Sequence, residues 1–433
     1  MEIRLPGIIY QVLANLEAAG FETWLVGGSV RDWLLGREAK DWDLTTAADL
    51  ASIQRVLYGS LRLVPVGAKF GTISIIAPEL KGEISSFRGE SLAADLARRD
   101  FTINAMAWHP VRGLRDPHGG QADLAQKLIR CPSDPRNIFA ADALRMLRAV
   151  RFALSLDFSI EPGTWKAIGE LHGRLEEISP ERIRDEFSAI LTSSRPKQGL
   201  DLLIRANLMK HIVPELLDCV GFEQHNPHHN LDVYQHIAAV VENTPPDLVL
   251  RLAALFHDLG KPHCLTVDEK GIGHFYGHEK IGAELAGRAL RRLCYDNATI
   301  AVVKSLVAAH MLRLNYPRMN PAKLLARVGQ KDIDKLFILQ EADARGGVDR
   351  SLEPIREMRR RVEAALAQNR PYARRHLAVS GRDLIAIGVP PGAQVGEVLD
   401  RLLAAVVKNP KLNERERLLQ MAGAMLRDSQ EGK

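Results

Sequence analysis

One short stretch constrains this chain more than any other: Leu25-Val26-Gly27-Gly28-Ser29-Val30-Arg31-Asp32-Trp33-Leu34-Leu35-Gly36-Arg37, then Lys40-Asp41-Trp42-Asp43-Leu44-Thr45-Thr46. Phe21 to Val26 mixes aromatic, β-branched and aliphatic residues, as a buried strand does. Gly27 and Gly28 then let backbone approach a ligand with no Cβ in the way. A helix opening near Ser29 directs free N–H groups at that turn, and Arg31 adds a full charge. Such a turn suits an anion. Asp41 and Asp43 lie two apart, so on a strand both carboxylates project from one face. Paired acids beside an anion cradle are what hard divalent cations need to clamp a triphosphate. A Gly-Gly or an Asp-x-Asp alone is usually structural; the two in this order point to a nucleotide site.

Taken whole, the stretch resembles the head motif of bacterial-type (class II) tRNA nucleotidyltransferases and their relatives, the poly(A) polymerases. The resemblance implies a head like that of DNA polymerase beta, with Asp41 and Asp43 binding Mg²⁺ and Gly27, Gly28 and Arg31 beside the triphosphate. Leu61–Val66, Gly71–Pro78 and Gly82–Arg88 read as strands of an antiparallel sheet. On the last of them the family carries a third acid, which makes Glu83 a candidate ligand; an exposed strand-end Glu is the competing reading. Arg98-Arg99-Asp100-Phe101-Thr102-Ile103-Asn104 matches the second family motif and puts Arg98, Arg99, Asp100 and Asn104 at the nucleotide. Asp116-Pro117-His118-Gly119-Gly120 matches the third, with its glycines as a hinge.

Beyond about residue 136, strand signals give way to helical periodicity. Asp142, Arg145 and Arg148 recur every three residues, within an arc of roughly 120° if the segment is one helix. Alternating charges so spaced usually make a salt-bridged face. The resemblance gives Asp142, Arg145, Arg148 and Arg151 another task, reading the incoming base in place of a template. A carboxylate accepts from the amino group of cytosine or adenine, and a guanidinium donates to ring acceptors. The family usually has Glu before that Asp; here it is Ala141. Ile178 to Phe187 matches the last core motif, with Ser179 as a helix cap and Pro180 in the first turn.

A second constellation lies mid-chain. Of the 14 histidines, nine fall between His225 and His310, where an even scatter would put about three. His236, the doublet His257-Asp258 and Asp343 resemble the ligand set of the HD phosphohydrolase superfamily, and His278 and His310 match further positions of its active members. That likeness implies a divalent transition metal or Mg²⁺, and phosphatase or 2′,3′-cyclic phosphodiesterase activity.

Composition bounds the rest. The length of 433 residues suffices for about three domains. The four cysteines show no Cys-x-x-Cys spacing, which argues against a zinc ribbon and suits a reducing cytoplasm. The apolar runs fall short of a membrane span and Met1 to Pro6 lacks an export-signal pattern, so a cytoplasmic protein without membrane contact is expected. A net charge of +5 permits a polyanionic partner. Between 353 and 375, seven arginines face three glutamates, as a solvated helix face or a tRNA-backbone contact would have it.

The expected fold class is α+β: a nucleotidyltransferase head with a mixed sheet over 1–130, an all-α neck and body over 131–217, an HD domain over 218–350 and a helical tail over 351–433. The expected reaction is addition of C residues to a tRNA 3′ end from CTP, with ATP a further substrate if the enzyme is a full CCA-adder. The CC-adding subtype is favoured because only Gly89 and Glu90 separate Phe87-Arg88 from Ser91-Leu92, where CCA-adding relatives carry a flexible loop. A poly(A) polymerase, an A-adding tRNA enzyme, and an HD phosphohydrolase with a non-catalytic RNA-binding head are the rival readings. The sequence leaves the oligomeric state open.

Overall fold

The computed structural model describes residues 3–39, 41–59, 62–65, 72–77, 80–225, 231–315, 319–347 and 351–431. Lys40, Leu61, Val66, Gly71, Pro78, His228 and His229, which the sequence reading included, lie outside the described residues. The chain divides into two compact units, Met1–Ile212 and Val213–Lys433.

The first unit opens with α1 (Gly7–Ala18), whose buried Ile9, Val12, Leu13 and Leu16 form one helical stripe. The strand β1 (Thr23–Val26) is buried throughout and leads through the glycine turn into α2 (Gly28–Leu34). Next come β2 (Asp41–Thr46), α3 (Leu50–Leu57), β3 (Arg62–Pro65), β4 (Thr72–Ala77) and β5 (Leu80–Ser86). Helix α4 (Leu92–Ala97) precedes the hairpin of β6 (Ala107–His109) and β7 (Gly113–Arg115), and α5 (Gly120–Gln126) follows. The seven strands form one sheet in the order β3-β4-β5-β2-β1-β6-β7. It is mixed: β5 runs antiparallel to β4 and parallel to β2.

The remainder of this unit is helical: α6 (Pro135–Ala141), α7 (Arg145–Leu156), α8 (Pro162–Leu171), α9 (Pro180–Leu191) and α10 (Pro196–Arg205). Three expectations are corrected here. Asp142 does not share a helix with Arg145 and Arg148, because α6 stops at Ala141 and Asp142 is extended, with φ −158° and ψ 104°. Its carboxylate accepts from the Leu144 N–H (3.1 Å) and from Arg182 on α9 (2.8 Å), and these partners replace the continued helix. The Gly119-Gly120 turn is no loose hinge, since a Cβ at Gly120 would sit 2.4 Å from the Thr102 carbonyl oxygen. Asp116 also accepts from the N–H groups of Gly120 and Gln121. Ser179 occupies the cap of α9 but its hydroxyl makes no capping bond; Pro180 sets that first turn alone.

In the second unit, α11 (Val233–Asn243) starts with a capping box of Asp232 and Gln235. The apolar α12 (Leu248–Phe256), capped by Asp247 and buried from Leu250 to Phe256, delivers His257 and Asp258 at its C-terminal end. Around it pack α11, α13 (His278–Arg292), α14 (Asn297–Ala309) and α16 (Ile333–Gly346), with α15 (Pro321–Val328) between the last two in sequence. Helices α17 (Glu353–Ala367), α18 (Gly381–Ala386), α19 (Ala393–Lys408) and α20 (Arg415–Glu431) complete the chain. Leu384, Val398, Leu402, Val406, Leu418 and Ala422 give this end its own core. Among the described residues, no helix is long and apolar enough to cross a membrane.

Candidate functional site

In the first unit, the strand–turn–helix from β1 to α2 and the start of β2 line a cavity of about 650 Å³. Gly27, Gly28, Arg31, Asp41, Asp43 and Arg99 line it, together with Asp100, Asn104, Arg148 and Arg151. Gly27 has φ +75°, and a Cβ there would lie 3.2 Å from Asp43 Oδ2 and 3.4 Å from the Arg99 guanidinium. Glycine therefore keeps this corner open between a carboxylate and a cation.

Asp43 is half-buried, and Glu83 stands directly beside it in the β2–β5 register. Burial raises the Asp43 pKa to about 6, against the pull of Arg99 and with help from Glu83 and Asp41. The three acids do not reach mutual ligand spacing among the described residues, and Glu83 is exposed outside the cavity lining. The corner nonetheless fits Mg²⁺: hard carboxylate oxygens, with the Asp43 pKa raised by burial and then by its acidic neighbours, face an opening that a side chain would close.

From Arg31, side chains lining the cavity form a hydrogen-bonded chain. Arg31 Nη1 donates to Asn104 Oδ1 (2.8 Å), Asn104 Nδ2 donates to Asp100 Oδ1 (3.0 Å), and Arg148 donates to Asp100 Oδ2 (2.7 Å). Burial alone would raise Asp100; Arg148, Asn104 and the Phe101 N–H outweigh it and hold its pKa down to about 2. Arg151 donates to Glu186 on α9 (2.6 Å).

Not every predicted residue reaches the cavity. Arg98 is exposed, with its guanidinium beside Gly89, whereas Arg99 is held toward the acids by Asp95 (3.1 Å). Asp142 and Arg145 lie outside the lining, Asp142 on Arg182 and Arg145 donating to the Ile138 carbonyl (3.3 Å). Phe152, Arg37 and Ser155 line the cavity although the sequence reading gave them no role. Phe152 directly follows the Arg145–Arg151 series, the one signal that marked it. The arginine-rich segment is partly self-paired: Arg360 with Glu353 and Glu357, Arg374 with Asp400.

The second unit gathers all six histidine-site residues, each buried. Every ring is tied at Nδ1 to a backbone carbonyl: His236 to Gly346 (3.1 Å), His257 to Ala254 (2.7 Å), His278 to Phe275 (2.6 Å) and His310 to Val307 (2.7 Å). A carbonyl only accepts, so each Nδ1 carries a proton, and Nε2 is the ring nitrogen turned inward. Asp258 stands between two imidazole pairs. One oxygen lies 3.2 Å from His257 Nε2 and 3.4 Å from His236 Nε2, the other 3.2 Å from His278 and 3.7 Å from His310. Asp343 meets His236 Nε2 at 3.3 Å.

Lys261, which sequence reasoning passed over, bonds to Asp258 at 2.6 Å and to Gln224 at 2.8 Å. Burial alone would raise the Asp258 pKa, but His257 and Lys261 hold it well below the carboxylate range. Two sets of three converging ligand atoms share this carboxylate: His236, His257 and Asp258, and Asp258, His278 and His310. Oriented imidazole nitrogens with a carboxylate fit a divalent metal.

Comparison with known proteins covers both units. Residues 23–130 match the poly A polymerase head domain, 157–219 the probable RNA and SrmB-binding site of polymerase A, and 228–345 the HD domain. The chain is 35% identical to an A-adding tRNA nucleotidyltransferase of Deinococcus radiodurans, over 88% of this chain and 90% of that one. It is likewise 35% identical to a CC-adding tRNA nucleotidyltransferase of Thermus thermophilus, over 88% of each. The crystal structure of the Bacillus stearothermophilus CCA-adding enzyme in complex with CTP superposes with a TM-score of 0.71 at 25% identity, over 100% of both chains. With the glycine turn, the paired acids and the histidine cluster set out in that order, the chain belongs to the bacterial-type (class II) tRNA nucleotidyltransferase and poly(A) polymerase family, in its HD-domain-bearing form.

Proposed function

We propose that the first unit adds C residues to the 3′ end of tRNA without a nucleic-acid template. One observation carries this reading: a single cavity joins the glycine turn, Arg31 and Arg99 to Asp41 and Asp43, and faces them with Arg148 and Arg151. In the reaction the RNA 3′-oxygen bonds to the α-phosphorus of CTP, the bond to the β-phosphate oxygen breaks, and pyrophosphate and a proton leave. Arg31 and Arg99 hold the triphosphate oxygens. Mg²⁺ held by Asp41 and Asp43, with Glu83 beside them, would supply charge neutralisation and ease loss of the hydroxyl proton. Arg148 and Arg151 donate to the ring acceptors of cytosine, and Asp142, on turning from Arg182 into the cavity, would accept from its amino group; uracil would oppose a carbonyl to that carboxylate.

The CC-adding subtype is the reading we favour within this activity. Support comes from the connection between β5 and α4, which is a tight turn: Ser91 caps α4, and the Arg88 N–H donates to Asp95 (3.1 Å). No segment is present there to act as the flexible loop of CCA-adding relatives. The test is tRNA lacking its 3′ end, given CTP, ATP or both. Two C residues and a stop are expected; efficient A transfer onto tRNA ending in CC would overturn the subtype, and absence of C transfer the whole reading.

The histidine site is read as a metal-dependent phosphohydrolase acting on phosphomonoesters or 2′,3′-cyclic phosphates of nucleotides and RNA ends. Its support is the fixed orientation of all four rings, with Nε2 turned toward Asp258. The metal would polarise the phosphoryl oxygen and activate water. Lack of hydrolysis with Mg²⁺, Mn²⁺, Ni²⁺ and Co²⁺ in turn would leave the cluster a structural one. We read both activities as belonging to a reducing cytoplasm, a reading supported by four cysteines that form no disulfide.

A further inference from the structure

Phe152 is nearly buried, at 6% exposure, yet lines the nucleotide cavity. Three guanidinium carbons surround its ring: Arg151 at 4.3 Å from the centroid, Arg31 at 5.2 Å and Arg148 at 5.3 Å. Cations of like sign crowd together only where something offsets their repulsion. Here each is anchored on its far side, Arg31 by Asp32 and Asn104, Arg148 by Asp100 and Arg151 by Glu186. The negative face of the aromatic ring attracts them on the near side. Phe152 is fixed in turn by the fully buried Phe101, which meets it edge-on at 5.8 Å and 84°.

Arg31 and Arg148 are also the two ends of the chain through Asn104 and Asp100. That chain and the ring form a closed circuit between the triphosphate side of the cavity and its base side. We propose that Phe152 is a positioning residue that sets Arg31 and Arg148 at a fixed spacing, so that grip on the triphosphate and choice of base are made together. This rests on the nucleotidyltransferase reading above. An aliphatic residue would fill much of the volume but offer no face to the cations; tyrosine would keep the face.

Phe152→Leu and Phe152→Tyr are compared with the full-length protein in C and U addition to tRNA lacking its 3′ end. Equilibrium dialysis of CTP and UTP and thermal melting accompany the assays. Phe152→Leu is expected to raise KM for CTP about tenfold and lower the C-over-U ratio of kcat/KM by a similar factor. Phe152→Tyr should stay within about twofold of the parent in that ratio. A merely structural role would lower the melting temperature or the active fraction equally for both nucleotides, and an unchanged ratio in Phe152→Leu overturns the proposal. Should the parent add no nucleotide, the nucleotidyltransferase reading fails separately, and dialysis decides for Phe152. A CTP affinity equal to the parent's in Phe152→Leu refutes it; a CTP-selective loss restored by Phe152→Tyr upholds it.

Discussion

Asp43 and Asp258 are both carboxylates set among cations, yet their surroundings pull them opposite ways. Burial and the neighbouring Glu83 and Asp41 lift Asp43 to about 6, with Arg99 the largest counterweight. Asp258 is more deeply enclosed, and His257 and Lys261 still hold it ionised. The difference lies in the charges set beside each carboxylate. The histidine cluster has its partners in place, with every ring oriented from behind by a carbonyl. The acids of the nucleotide site have Arg99 as their main cationic counterweight, and on the reading proposed above Mg²⁺ would add to it.

Removing the acids should break the comparison hardest. Asp41→Ala or Asp43→Ala is expected to reduce nucleotide addition by at least about 10³-fold while hydrolysis at the histidine site continues. Primer-extension gels and a phosphate-release assay on one preparation check both halves. The reverse loss should follow at the other site: Asp258→Asn is expected to lower bound metal and hydrolysis by about 10²-fold or more and spare addition. Metal analysis with the same two assays measures it.

Stability should separate the two carboxylates more sharply than activity does. Because folding raises the Asp43 pKa above its ordinary 3.8, the folded state binds the extra proton between roughly pH 4 and 6. The fold is thus favoured at low pH by this group, and that contribution disappears as pH rises through 6. In EDTA at pH 7.5, Asp43→Asn should therefore be more stable than the parent, by up to about 3 kcal/mol, with the gap narrowing to roughly a third of that by pH 4.5. Asp258→Asn, which leaves buried Lys261 facing no carboxylate, should be less stable. Thermal melts at both pH values test the opposed signs. The smallest effect concerns base choice: Asp142→Ala should cost about 1–3 kcal/mol of C-over-U discrimination, read as a ratio of kcat/KM. Arg182→Ala, which only frees Asp142 to turn, should cost less.

How much of this was legible depended on whether neighbours in space are neighbours in sequence. The glycine turn and Asp41-x-Asp43 could be read because the physics that joins them is local. Parallel pairing then set Glu83 beside Asp43, a placement the strand pattern allowed. The break at Asp142 escaped notice, since Ala140-Ala141-Asp142-Ala143-Leu144 looks continuously helical and its stop is made with Arg182, forty residues away. Lys261 sat in view next to the His-Asp doublet, but its Gln224 partner lies outside any motif. Phe152 carried no role in the sequence because the three arginines around its ring come from two helices far apart in the chain.

The turn between β5 and α4 has a consequence for chain length. Gly89 sits at φ +141°, and a Cβ there would come within 2.9 Å of the Ala94 methyl, so this turn resists even the smallest side chain. It need not resist an insertion. The Ser91 cap and the Arg88–Asp95 bond flank it, and residues added between 88 and 91 would bulge into solvent from two ends already fastened. The entropy of closing such a bulge grows only logarithmically, about 0.6 kcal/mol for each doubling of its length. Evolution, or a designer, has a cheap place here to graft a lever and leave every catalytic group where it stands.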